Sequence, residues 1–120
     1  MSGLTFFDLA HPGAGEPGQP VPERLVEGHP TWNTWQVAET ADGNVSTGIW
    51  EVTPGAYRSV KGDTWEFCSI LSGMSELVED GQPPRRIGPG DTFVMNPGFV
   101  GVWRVIETTR KLWVIVERSK

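Results

Sequence analysis

The chain has 120 residues, 38% of them apolar, with six Trp and five Phe, enough to build one core and too few for two. Its net charge of −5 and pI near 4.9, with no basic run, argue against nucleic acid and anionic membranes as partners. A single cysteine, Cys68, excludes an internal disulfide. It suits a reducing compartment. Met1-Ser2-Gly3-Leu4 begins no basic-then-apolar leader, and no apolar run reaches membrane-spanning length, so the expectation is a cytoplasmic domain.

Gly 15 and Pro 10 fall between apolar runs, as turns do in an all-β chain. Residues 1–30 read as an irregular arm ending in an edge strand. Leu4-Thr5-Phe6-Phe7 has the composition of a short strand. The stretch His11 to Pro20 excludes a helix or a central strand, because its prolines lack donors and its glycines cost entropy. Arg24-Leu25-Val26-Glu27 reads as the edge strand. Phe6 and Phe7 either pack on the rim of the fold or let the arm cover a second subunit.

Residues 31–120 read as one barrel. Thr31 to Glu39 is β-prone, and Ala41-Asp42-Gly43-Asn44 is a hairpin turn. Val45 to Val52 returns with Thr47, Ile49 and Glu51 on one face and Gly48, Trp50 and Val52 on the other. A turn at Thr53-Pro54-Gly55 leads to the run Trp65-Glu66-Phe67-Cys68-Ser69-Ile70-Leu71, which places Glu66, Cys68 and Ile70 on one face. Ser72-Gly73 then reads as a tight corner before Glu76-Leu77-Val78-Glu79. Arg85 and Arg86 lie on a proline-led edge segment, where charge blocks strand pairing. Thr92 to Met95, Val100 to Glu107 and Lys111 to Glu117 are further strands, the last two joined by Thr108-Thr109-Arg110. About eight to ten short strands with no sustained helical period indicate a sandwich or barrel.

Two glycine-framed motifs resemble those of the cupins. Gly55, Glu66 and Gly73 fit the first, and Gly90 and Gly98 the second, with Asn96 in the proline slot beside Pro97. The match spans residues 55–105, and the strand pattern extends it over about 45–118. The resemblance is closer to the histidine-poor cupins that share a domain type with (S)-ureidoglycine aminohydrolase and the ethanolamine-utilisation cupin. It rests on GIWEVTPG at 48–55, EFCSILSG at 66–73, GPGDTFV at 88–94 and GVWRVIE at 101–107, with Arg110-Lys111. It implies an all-β, small jelly-roll β-barrel and often a homodimer.

The metal ligands of that superfamily are missing. The histidine slots of the first motif fall among Ser59, Val60, Lys61 and Gly62 counting back from Glu66, or on Lys61 and Asp63 counting forward from Gly55. The third slot is Gly101. His11 and His29 both precede the barrel. No cofactor is therefore expected, the alternative being a weakly held divalent cation at Glu66 and Asp63, and the metal-dependent aminohydrolase reaction is not implied.

If Glu66 faces the lumen as the motif's acid does, Cys68 and Ile70 do too, with Gly101, Trp103 and Val105 opposite. Trp103 is then core packing or a stacking platform for a flat ligand. Glu66 is either a structural acid paired with Arg58, Lys61 or Lys111, or a general acid/base or ligand anchor whose pKa burial raises. Cys68 reads as a small core residue without a nearby histidine to activate it. The candidate ligand-binding set is Trp50, Tyr57, Arg58, Lys61, Cys68, Trp103 and Lys111, with Tyr57, Arg58 and Lys61 at the mouth favouring an anion. Glu107, Arg110 and Lys111 read as surface ion pairing around the last turn. Two function classes follow: a metal-independent enzyme on a small nitrogen- or carboxylate-bearing metabolite, with Glu66 as acid/base, or a non-catalytic dimeric binding or accessory module.

Overall fold

The computed structural model describes residues 3–117, so Met1, Ser2 and positions 118–120, the end of the expected barrel, lie outside the described residues. The described chain is all β apart from one 3-10 turn at Pro22–Arg24. Its strands are β1 (Glu16–Gly18), β2 (Leu25–Gly28), β3 (Trp32–Glu39), β4 (Val45–Val52), β5 (Gly55–Val60), β6 (Thr64–Glu79), β7 (Arg85–Ile87), β8 (Thr92–Met95) and β9 (Val100–Glu117). Among the described residues no helix is long and apolar enough to cross a membrane.

All pairings are antiparallel, and β9 is the spine. One of its edges carries β5 against Val100–Val105 and β4 against Thr109–Val116, and its other edge carries β6 along nearly its whole length. The path β1-β3-β4-β9-β5-β2 therefore curls, and β6, with β7 and β8 on its far edge, closes over it. This is the all-β jelly-roll architecture the sequence leads one to expect.

Two expected corners are bends within continuous strands. The β6–β9 register slips between Ile70 and Ser72, between Ser72 and Met74, and between Met74 and Ser75. Gly73 sits there at φ 88°, and a Cβ on it would run into the Thr108 carbonyl. A glycine inside a strand marks a bulge or a close backbone approach as readily as a turn. The bulge bends β6, and β9 bends with it through Thr108-Thr109-Arg110. Ser75 and Thr109, both buried, satisfy each other there across 2.7 Å.

The arm also differs from expectation. Leu4 to Phe7 form no strand, and Phe6 is 82% exposed. The proline-rich stretch does form the short edge strand β1 on β3, where missing donors face outward. The arm is tied down by Trp35 Nε1 donating to the Gly13 carbonyl (2.8 Å) and Arg110 Nη1 donating to the Leu9 carbonyl (2.8 Å). The core fills the concave side, with Trp50, Val52, Cys68, Ile70, Met95, Trp103, Val105 and Trp113 in one cluster. Full burial of side chains this large contributes on the order of 1.5–3 kcal/mol each.

Candidate functional site

Period-two alternation aims the site. On β6 the buried positions are Glu66, Cys68 and Ile70, then Ser75 beyond the bulge, and on β9 they are Gly101, Trp103 and Val105, then Thr109, Lys111 and Trp113. Glu66 and Lys111 thus meet inside the barrel, although the pairing Glu66↔Ile115 and Ile70↔Lys111 sets them at different rungs. Lysine's four-carbon stem closes that gap.

Glu66 is 4% exposed and its two oxygens are both taken. Lys61 Nζ, from the turn after β5, donates to Oε1 at 2.5 Å, and Lys111 Nζ donates to Oε2 at 2.8 Å. The Cys68 thiol donates to Oε2 at 3.4 Å and lies 3.5 Å from Lys111 Nζ. The Lys111 ammonium also stands 4.5 Å from the Trp50 ring centroid and 4.6 Å from that of Trp103. Carboxylate and π-faces together compensate a charge that is otherwise costly to bury.

The electrostatics follow from this geometry. Burial alone would raise the Glu66 carboxyl, but the Lys111 and Lys61 ammonium groups and their hydrogen bonds outweigh it and bring it down to about 2. The expected raised pKa is thereby corrected: Glu66 is ionised at neutral pH and does not hold the proton a general acid needs. Burial would lower Lys111, but Cys68, Glu66 and Tyr57 hold it above its ordinary value. Of those three only Glu66 carries charge near neutrality. Burial pushes the Cys68 thiol up to about 12, which leaves it protonated and unreactive. Burial likewise raises the Tyr57 phenol.

Around this charge cluster is a cavity of about 400 Å³, inside the usual range for small-molecule sites. Trp50, Tyr57, Arg58, Lys61, Glu66, Trp103 and Lys111 all line it. Cys68 is buried behind the wall. Arg58 contacts Asp80 at 2.9 Å rather than Glu66. Arg110, expected in surface pairing around the last turn, reaches Glu51 instead at 2.9 Å, and Lys111 is interior. Trp32 joins the aromatic wall, its ring centroid 5.4 Å from Tyr57 and 5.7 Å from Trp50. Trp103 stands edge-on to Trp50 at 5.6 Å. The indole N–H groups of Trp103 and Trp113 are buried and meet no acceptor among the described residues.

Sequence reasoning missed Trp32, Met95 and Trp113, and Gln19, Pro20, Val21 and Arg24 of the segment before β2, all of which line the cavity. Trp113 was within reach, since it lies two residues beyond Lys111 on one strand and shares its face. The segment carries no local signal, because only the curl of the sheet brings it there.

The lumen residues do not fit a divalent cation. Both Glu66 oxygens are engaged by ammonium groups, Asp63 lies exposed in the turn, and no three His, Cys, Asp or Glu side chains converge among the described residues. Lys61, on a histidine slot of the motif, is itself a cation. It supplies positive charge at the acid without a metal.

The family model described as EutQ-like cupin domain matches residues 39–113. No curated protein matches the chain. Among solved structures, a DUF861-family protein of unknown function from Pseudomonas syringae pv. tomato is similar with a TM-score of 0.74 and 19% identity, over 87% of this chain and 45% of that one. Ectoine synthase from P. lautus is similar at 0.65 and 20%, over 71% and 63%. The EutQ protein of Clostridium difficile is similar at 0.61 and 15%, over 72% and 63%. The chain thus spans about half to two thirds of these structures' lengths, and at such identities the likeness is one of fold.

Proposed function

The chain belongs to the EutQ-like cupin family, and we propose that it uses its barrel lumen to bind a small organic anion without metal and without acid/base catalysis by Glu66. One observation carries this reading: four cations, Arg24, Arg58, Lys61 and Lys111, line the cavity against one carboxylate, Glu66, whose oxygens are already occupied. In a protein of net charge −5, such a concentration of positive charge in a low-dielectric cleft attracts anions. Lys61 spends one hydrogen bond on Glu66 and is the less buried of the two lysines. As an ammonium has three donors, it has capacity left for a ligand. The aromatic wall of Trp32, Trp50 and Tyr57 suits a flat or apolar body attached to the anionic group.

A melting-temperature panel of small carboxylates, phosphates and amines tests this. Carboxylates with planar or short apolar bodies are expected to raise Tm, and amines are not. No rise with any anion, or an equal rise in Lys61→Met, would contradict the proposal.

The dimer expected from sequence forms part of the same reading. Phe6 and Leu9, 82% and 42% exposed, offer apolar surface on an arm anchored to the barrel. Sedimentation equilibrium at micromolar concentration is expected to give the dimer mass, weakened by Phe6→Ser, and a monomer throughout would refute it.

A further inference from the structure

The two ends of the main sheet path, β1 and β2, are consecutive strands in the chain. Only residues 19–24 lie between them, and a link of that length reaches roughly 25 Å at full extension. At one end Gly18 pairs with Trp32, and at the other Leu25 pairs with Tyr57. Those two aromatic residues form the cavity wall, so the link runs from one side of the mouth to the other. Gln19, Pro20, Val21 and Arg24 from this link line the cavity. Pro20 and Pro22 fix its backbone, and a 3-10 turn at Pro22–Arg24 sets the position of Arg24.

Arg24 differs from the other lining cations. Arg58 is paired with Asp80, and Lys61 and Lys111 with Glu66. The Arg24 guanidinium makes no ion pair or hydrogen bond among the described residues, and it is exposed. The cavity thus has an inner cationic pole at Lys61 and an outer one at Arg24, with Trp32 and Tyr57 between the strands that carry the strap. Both Glu66 oxygens already accept donors from the protein, Oε1 from Lys61 and Oε2 from Lys111 and Cys68.

We infer that the segment Gln19–Arg24 is a specificity strap and that the preferred ligand carries two acidic groups, one meeting Lys61 and the other meeting Arg24 across the aromatic wall. This rests on the anion-binding reading and narrows it to a class, small dicarboxylates. The strap lies before the family-matched segment 39–113. A guanidinium fork suits a carboxylate bidentately, and a strap tied to both edges fixes the backbone that carries it, so that only the side chain is ordered on binding.

The test is calorimetric titration of the full chain with acids matched in carbon number: succinate against butyrate, glutarate against pentanoate, adipate against hexanoate, and terephthalate against 4-methylbenzoate. In the wild type at least one dicarboxylate is expected to bind about tenfold more tightly than its partner, the scale of one well-formed charged contact. Arg24→Ala is expected to bring that ratio close to one, Arg24→Lys to restore part of it, and Glu23→Ala, on the strap but not lining the cavity, to leave it as it was. Equal affinities within every pair, with monocarboxylates still binding, would overturn the strap inference while the anion reading stands. A ratio that survives Arg24→Ala would also overturn it. Failure of every acid of both series to bind would remove the anion reading itself, and this inference with it.

Discussion

Glu66 shows how one residue's role is decided by its partners rather than its type. The sequence places it inward, and alternation along Trp65 to Leu71 is sufficient for that. Whether burial or pairing controls its charge depends on where two flexible lysine side chains end, and no local pattern specifies that. With Lys61 and Lys111 on its oxygens, Glu66→Gln leaves Lys111, 5% exposed, without its anionic partner. The expected loss is about 3–5 kcal/mol of stability by denaturant unfolding. Adding Lys111→Met to Glu66→Gln should recover part of the loss by removing the stranded charge. The pH profile carries the same signature. The Glu66 carboxyl falls from 4.5 to about 2 on folding, so its stabilisation, about 3 kcal/mol, is full above pH 5 and is lost as pH falls toward 2. Lys111 is raised on folding, so its share is full below its ordinary value of 10.5 and is lost only as pH rises through the higher folded value. An acid limb as steep in Glu66→Gln as in the wild type would refute this assignment.

At the scale of elements, β6 and β9 decide the shape of the site. Most of the barrel strands, the Asp42-Gly43 hairpin and the inward face of β6 were legible from alternation and turn chemistry, whereas the polar β5 and the proline-bearing β1 were not read as strands and the one expected at Leu4 to Phe7 does not form. The continuity of the two long strands was not legible, because Ser72-Gly73 has the composition of a corner and a bulge alike. What distinguishes them is the Thr108 carbonyl packed against Gly73, a contact between residues distant in sequence. Gly73→Ala meets both a φ of 88° and that carbonyl. It is expected to cost about 2 kcal/mol or more and, by shifting the β6–β9 register, to weaken ligand binding through the displacement of Glu66 and Lys111. A stability change within about 0.5 kcal/mol of wild type would show the bend to be tolerant. The strap belongs to this scale too. Its proline content marked it as irregular, but its place across the mouth follows only from the sheet bringing its two ends together.

For the whole molecule, an acidic protein encloses a cationic lumen. Net charge read from composition spoke about outside partners, and it concealed the opposite sign within, because four cations and one acid gather from separate parts of the chain. The absence of histidine at the motif's ligand slots was plain from sequence, whereas the lysine pair that supplies positive charge at the acid became evident only in three dimensions. The most direct measurement is a calorimetric comparison of benzoate with benzamide, equal in shape and differing in charge, in wild type and Lys61→Met. The account predicts that benzoate binds the wild type at least about tenfold more tightly than benzamide, that added salt weakens it, and that the preference disappears in Lys61→Met. Benzamide binding as well as benzoate, or an undiminished preference in Lys61→Met, would contradict it.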